Sequence, residues 1–90
     1  MLRLRDLKNE LKELRNLNRR CVSNKLNSKY KKLFAQLPPL EEKVMNFCFV
    51  SGDSYRTCGY KLSYCERQVK RIVSKSIELI NQIINKEGEQ

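Results

Sequence analysis

The sequence has no histidine and no tryptophan, three glycines, two prolines, and ten carboxylates against nineteen lysines and arginines. Each scarcity excludes something. Without histidine the chain lacks the commonest general base and the commonest metal ligand. Gly52, Gly59 and Gly88 are too scattered for a phosphate-cradling loop, and no nucleophile elbow or paired-carboxylate motif occurs. Enzymatic activity is therefore not expected, nor is a cofactor. Cys21, Cys48, Cys58 and Cys65 contain no C-x-x-C pair, so a zinc site would have to gather four distant thiolates. No metal and no disulfide are expected, and Cys48 and Cys58 read as small buried apolar residues. No apolar run approaches the 18 or so residues of a membrane span. Met1–Leu14 is charged every second or third residue and lacks the apolar stretch of a signal peptide. The expected location is the cytoplasm.

Positive charge is what the sequence has in excess, net +9. Residues 1–38 carry eleven basic and three acidic groups, whereas residues 39–90 carry eight and seven. Such a field favours polyanions, nucleic acid first and anionic membrane second; a solvated helix surface is the plainer reading. Leu4, Leu7, Leu11 and Leu14 are spaced 3-4-3, the seam of an amphipathic helix, and Leu2 and Leu17 widen it. Two heptads are too few for a coiled coil. The seam either packs on its own domain or pairs with a partner, and a homodimer is one outcome. The register continues into Asn18, Cys21 and Lys25, where it fails. Ser23–Ser28 favours caps and turns over helix interior, so a break is expected there. Ser28 then caps a short helix from Lys29 to Gln36, with Tyr30, Leu33, Phe34 and Leu37 on one stripe.

Pro38-Pro39 punctuates the chain. Residues before proline are pushed out of the α region, and proline suits the first turn of a helix. A helix should therefore begin at Pro39, favoured by Glu41 and Glu42 at its positive end. Gly52 is a natural stop and Asp53 or Ser54 a cap for the next helix. Val44, Phe47, Cys48, Tyr55, Cys58 and Leu62 should face inward. After a turn at Leu62-Ser63-Tyr64, the last helix should start near Cys65 and run to about Asn85, with residues 86–90 frayed. Its apolar stripe is Tyr64, Val69, Ile72, Val73, Ile77 and Ile80. Arg67, Lys70, Arg71 and Ser74 fall at i, i+3, i+4 and i+7 on the opposite side. A helix with one apolar and one basic face, propped by a short helix before it, suits a reader of the DNA major groove.

Leu37 to Leu79 resembles region 4 of sigma-70-type transcription factors. Leu40, Val44 and Phe47 sit where that family's first helix is apolar, Val50-Ser51-Gly52 at its loop, and Ser54-Tyr55 at the start of its second helix. Val69, Lys70 and Ile72 match the middle of its third. Cys58-Gly59, Ser63 and Cys65 depart from the aliphatic-alanine pair, turn glycine and capping hydroxyl usual there. The resemblance implies an all-α fold: an N-terminal amphipathic helical arm over residues 1–37, then a three-helix helix-turn-helix domain over 38–85. It also implies a sequence-specific, DNA-binding transcription regulator, similar to small phage regulators of the ArpU type. Base contacts would come from Glu66, Arg67, Gln68, Lys70, Arg71 and Ser74, since arginine forks match guanine and glutamate accepts from cytosine. Tyr55, Arg56, Lys61 and Lys75 would hold phosphates. Because region 4 also docks on RNA polymerase, a second implied reading is a module that binds polymerase or a sigma factor without reading DNA.

Overall fold

The computed structural model describes residues 4–20 and 25–88, with side chains through Lys86. Among the described residues there is no strand, and the chain is all-α. The helices are α1 (Leu4–Arg19), α2 (Lys25–Phe34), α3 (Pro39–Met45), α4 (Tyr55–Leu62) and α5 (Glu66–Gly88). A π-helical turn, Asn46–Val50, prolongs α3. With 23 residues, α5 is about 35 Å long. It is the longest of the described helices, and α1, α3 and α4 pack against it.

One hydrophobic core joins the whole molecule. Leu7, Leu11 and Leu14 of α1 and Tyr30 and Phe34 of α2 lie in it with Val44, Met45, Cys48, Phe49, Cys58, Val69, Val73, Ile77 and Ile80. Of the contacts expected around the last helix, Val69, Val73 and Val44 are buried. Ile72, Leu62 and Phe47 are half-buried and pack on the same core. The leucine seam of α1 is thus closed within one chain, with Leu7 and Leu14 fully covered. A homodimer through this seam is not supported: Leu7, Leu11 and Leu14 bury their surface within one chain, and of the four seam leucines Leu4 is exposed. Leu2 and Cys21 lie outside the described residues.

Three local expectations are revised. The helix expected to begin after Ser28 starts four residues earlier, and Lys25–Ser28 are helical. Leu26 packs on the core, and the Asn18 amide donates to Asn27 Oδ1 at 2.9 Å and to the Phe49 carbonyl at 2.8 Å. Tertiary contacts override the weak propensity of SNKLNS. Its other end also moves, to Phe34. The last helix continues through Gly88, beyond the expected end near Asn85, so Lys86–Gly88 are helical and residues 89–90 lie outside the described chain. Finally, α3 widens before Gly52. The Ser51 N–H bonds to the Asn46 carbonyl, five residues back, at 2.9 Å. The extra residue per turn lets neighbours Cys48 and Phe49 both face inward.

A buried tyrosine secures α2 to α1. The Tyr30 hydroxyl donates to Glu10 Oε1 at 2.8 Å, and Lys29 Nζ donates to the same oxygen at 2.8 Å. Burial alone would raise the Glu10 pKa, but the two hydrogen bonds and the Lys29 charge outweigh it and hold the carboxyl below its usual value. Burial, then the bond to Glu10, pushes the Tyr30 phenol up, so it stays a donor at neutral pH. A carboxylate whose folded pKa is lowered stabilises the fold above its unfolded pKa and ceases to as pH falls through the folded one. Tyr30→Phe is expected to cost about 1–2 kcal/mol at neutral pH, because it removes a hydrogen bond to a charged group. That deficit should shrink as pH falls through the lowered folded pKa of Glu10 and the carboxylate protonates. Urea unfolding of both proteins at neutral and at acid pH checks it.

Candidate nucleic-acid interface

The position of α4 is set by its entry loop. Gly52 takes a positive φ of 77°, which ends the π-helical turn and reverses the chain. Two arginines of α1 then hold the loop by its carbonyls. Arg19 Nε donates to the Gly52 oxygen at 2.7 Å and Arg15 Nη2 to the Asp53 oxygen at 3.0 Å. Ser54 caps α4, its hydroxyl accepting from the Thr57 N–H at 3.1 Å. The caps predicted around Gly52 and Ser54 are where the sequence chemistry puts them.

The α4–α5 turn is tight. Ser63, Tyr64 and Cys65 connect the helices, and Ser63 adopts the left-handed conformation with φ 61°. The Tyr64 N–H returns to the Gly59 carbonyl at 2.8 Å. Gly59 lets α4 approach this turn. A Cβ there would lie 2.5 Å from the Tyr64 carbonyl oxygen and 3.3 Å from Val69 Cγ2. The departure at Cys58-Gly59 thus has a packing reason: Cys58 enters the core while Gly59 admits the backbone. Gln68 Oε1 accepts from the Cys65 N–H at 3.0 Å, half of a capping box that starts α5 without a hydroxyl cap.

With its apolar side in the core, α5 presents Arg67, Lys70, Arg71, Ser74 and Lys75, with Glu78, around one shallow depression. Glu66 is exposed in the first turn beside them. Gln68 is also exposed, but its amide oxygen is committed to the cap. The residues expected on phosphates are spread more widely. Arg56 and Lys61 lie on the outer face of α4 with Thr57 and Tyr60. Lys61 is bonded to Asp53 at 2.7 Å and sits over the Phe47 ring. Lys75 Nζ is 3.8 Å from Glu41 Oε1. Tyr55 is half-buried, with the Arg15 guanidinium 5.1 Å from its ring centroid. Burial raises the Tyr55 phenol pKa and Arg15 partly offsets this.

Two features escape the sequence reading. Tyr60 is 90% exposed on α4, a large aromatic beside Arg56 and Lys61. Lys8, Lys12 and Arg15 of α1 face Lys70 and Ser74 of α5 across a groove of about 330 Å³. Their spacing of i, i+4 and i+7 is visible in the sequence; which helix they oppose is not.

Among the described residues no three His, Cys, Asp or Glu side chains gather as metal ligands. Cys48 and Cys58 are buried, and burial is the main cause that pushes both thiols up. Cys65 is exposed. Peptide mapping after brief alkylation of folded protein near pH 8 should therefore find Cys65 modified well before Cys48 and Cys58. At the turn, two substitutions should act in opposite directions. Gly59→Ala should destabilise by about 1–2 kcal/mol, since the clash with a backbone oxygen exceeds the gain in helix propensity. Ser63→Gly should stabilise by about 0.5 kcal/mol, relieving a left-handed non-glycine residue. Thermal unfolding of both variants reads the two signs.

No protein-family model, curated protein or solved structure matches the chain, so the functional reading rests on the surface itself.

Proposed function

We propose that the protein binds double-stranded DNA in a sequence-dependent way through α5, braced by α4, and acts as a regulator of transcription. One observation carries the reading: the outward face of a core-anchored helix gathers Arg67, Lys70, Arg71, Ser74 and Lys75 around one open depression. A helix with side chains is about 10–12 Å across and the major groove about 12 Å wide. Arginine in such a groove forms paired hydrogen bonds with guanine, which gives sequence preference rather than bulk affinity. The short turn and the close approach at Gly59 support the reading by holding α4 rigidly against α5. The likeness of Leu37–Leu79 to sigma region 4, and with it an origin in a phage or mobile element, belongs to the same proposal.

Base and phosphate contacts should separate in a mutant series. Arg71→Ala or Arg67→Ala is expected to cost about 1–3 kcal/mol on a duplex enriched from a random pool and much less on a scrambled duplex. Arg56→Ala should weaken both alike and lower the salt slope by about one. Fluorescence anisotropy titrations measure all three. If Arg67 and Arg71 can both be replaced without loss of preference, α5 is not the reader.

A further inference from the structure

From the groove between α1 and α5 we infer a second part of the interface, resting on the reading just given. The α1 side of the groove is a rail for the sugar-phosphate strand that borders the major groove occupied by α5, and Lys70 belongs to this rail rather than to the base-reading set.

Three observations converge. First, Lys8 and Lys12, one turn apart on α1, face Lys70 across the groove, with Arg15 a turn further along. Among the described residues none of these three lysines has a carboxylate within ion-pair distance, whereas Lys29, Lys61 and Lys75 each have one. Like charges at i, i+4 repel, and among the described residues no carboxylate pairs with them here. A polyanion can. Second, Arg15 also lines this groove, and with its Nη2 held on the Asp53 carbonyl it adds a fixed positive charge to the same wall. Third, the spacing fits. Packed helices lie 8–10 Å apart, so when α5 fills a groove about 12 Å wide, its neighbour α1 lies over the flanking strand. The groove walls Leu11, Val73 and Ile77 are apolar, suited to deoxyribose, while the lysines on its rim take the phosphates. An acidic protein segment has the same sign of charge, but lacks the regular phosphate spacing that would engage Lys8, Lys12 and Lys70 together with α5.

The test is the salt dependence of binding by the full chain, on an enriched and on a scrambled duplex of equal length. Lys8→Ala/Lys12→Ala should lower the log–log salt slope by about two and weaken both duplexes by a similar factor, on the order of tenfold or more near 0.1 M salt. Lys70→Ala should lower the slope by about one and leave sequence preference intact. Lys8→Arg/Lys12→Arg should restore binding. Lys31→Ala/Lys32→Ala, which removes equal charge from α2, should change the slope less than half as much. These lysines are exposed, and an unchanged melting temperature confirms that the variants fold. If the Lys8/Lys12 variant keeps the wild-type slope while Arg71→Ala still loses preference, the rail is rejected and the reading helix stands. If no duplex is preferred and Arg71→Ala is silent, the function proposed above fails. The slope on scrambled DNA then still decides the rail. Loss of preference in Lys70→Ala would return that residue to the bases.

Discussion

Two guanidinium groups on α1 holding two carbonyls of one loop fix where everything downstream begins. Arg19 and Arg15 reach the Gly52 and Asp53 oxygens, and α4 starts two residues later. Hydrogen bonds from charged donors are about twice as strong as neutral ones, and these two act on a loop with few backbone bonds of its own. The direction of α4, and through the three-residue turn that of α5, follows from α1. The N-terminal helix is therefore part of the frame of the candidate site. Its leucines supply the burial and its arginines the aim.

This division of labour changes the meaning of the net +9 charge. Read along the sequence, the basic excess of residues 1–38 looks like a diffuse attraction for polyanions. In the fold it separates. Arg15, Arg19 and Lys29 are engaged by Asp53, Gly52 and Glu10, while Lys8 and Lys12 stand at the groove beside α5. The half with nearly balanced charge also sorts its ions. Asp53 and Glu41 sit near Lys61 and Lys75, so the acids lie towards the flanks while Arg67, Lys70 and Arg71 hold the centre. Balance in total charge coexists with a predominantly basic face, on which Glu66 and Glu78 stand at the two ends of the cationic stretch of α5.

What was legible in the sequence follows from how local the governing physics is. The proline at the start of α3, the serine cap of α4, the turn at Ser63 and the apolar stripe of α5 each depend on a few neighbouring residues, and each lies where expected. The start of α2 depends on Leu26 reaching a core built from distant residues and on Asn18 meeting Asn27, so local propensity pointed the wrong way. Phe49 was missed because a helical period assigns its angle to a partly exposed side, and the π-helical turn alters that period. For the candidate site, the cationic stripe of α5 was legible from spacing. The cap made by Gln68, the pairing of Lys61 and Lys75, and the opposition of Lys8 and Lys12 to Lys70 depend on tertiary neighbours that no spacing encodes.

The π-helical turn at Asn46–Val50 carries a consequence for how this architecture tolerates changes of length. An α-helix turns about 100° per residue, so one extra residue in α3 acts as a phase setting between α3 and all that follows. Deleting one residue there, and so restoring a regular helix, would swing the exit of α3 by roughly that angle. Gly52 and Asp53 would leave the reach of Arg19 and Arg15, and α5 would point elsewhere. Insertions and deletions in this five-residue stretch thus act as a rotary adjustment of the reading face. Lengthening the connection between α1 and α2, on the far side of the arginine clamp, would leave that angle untouched.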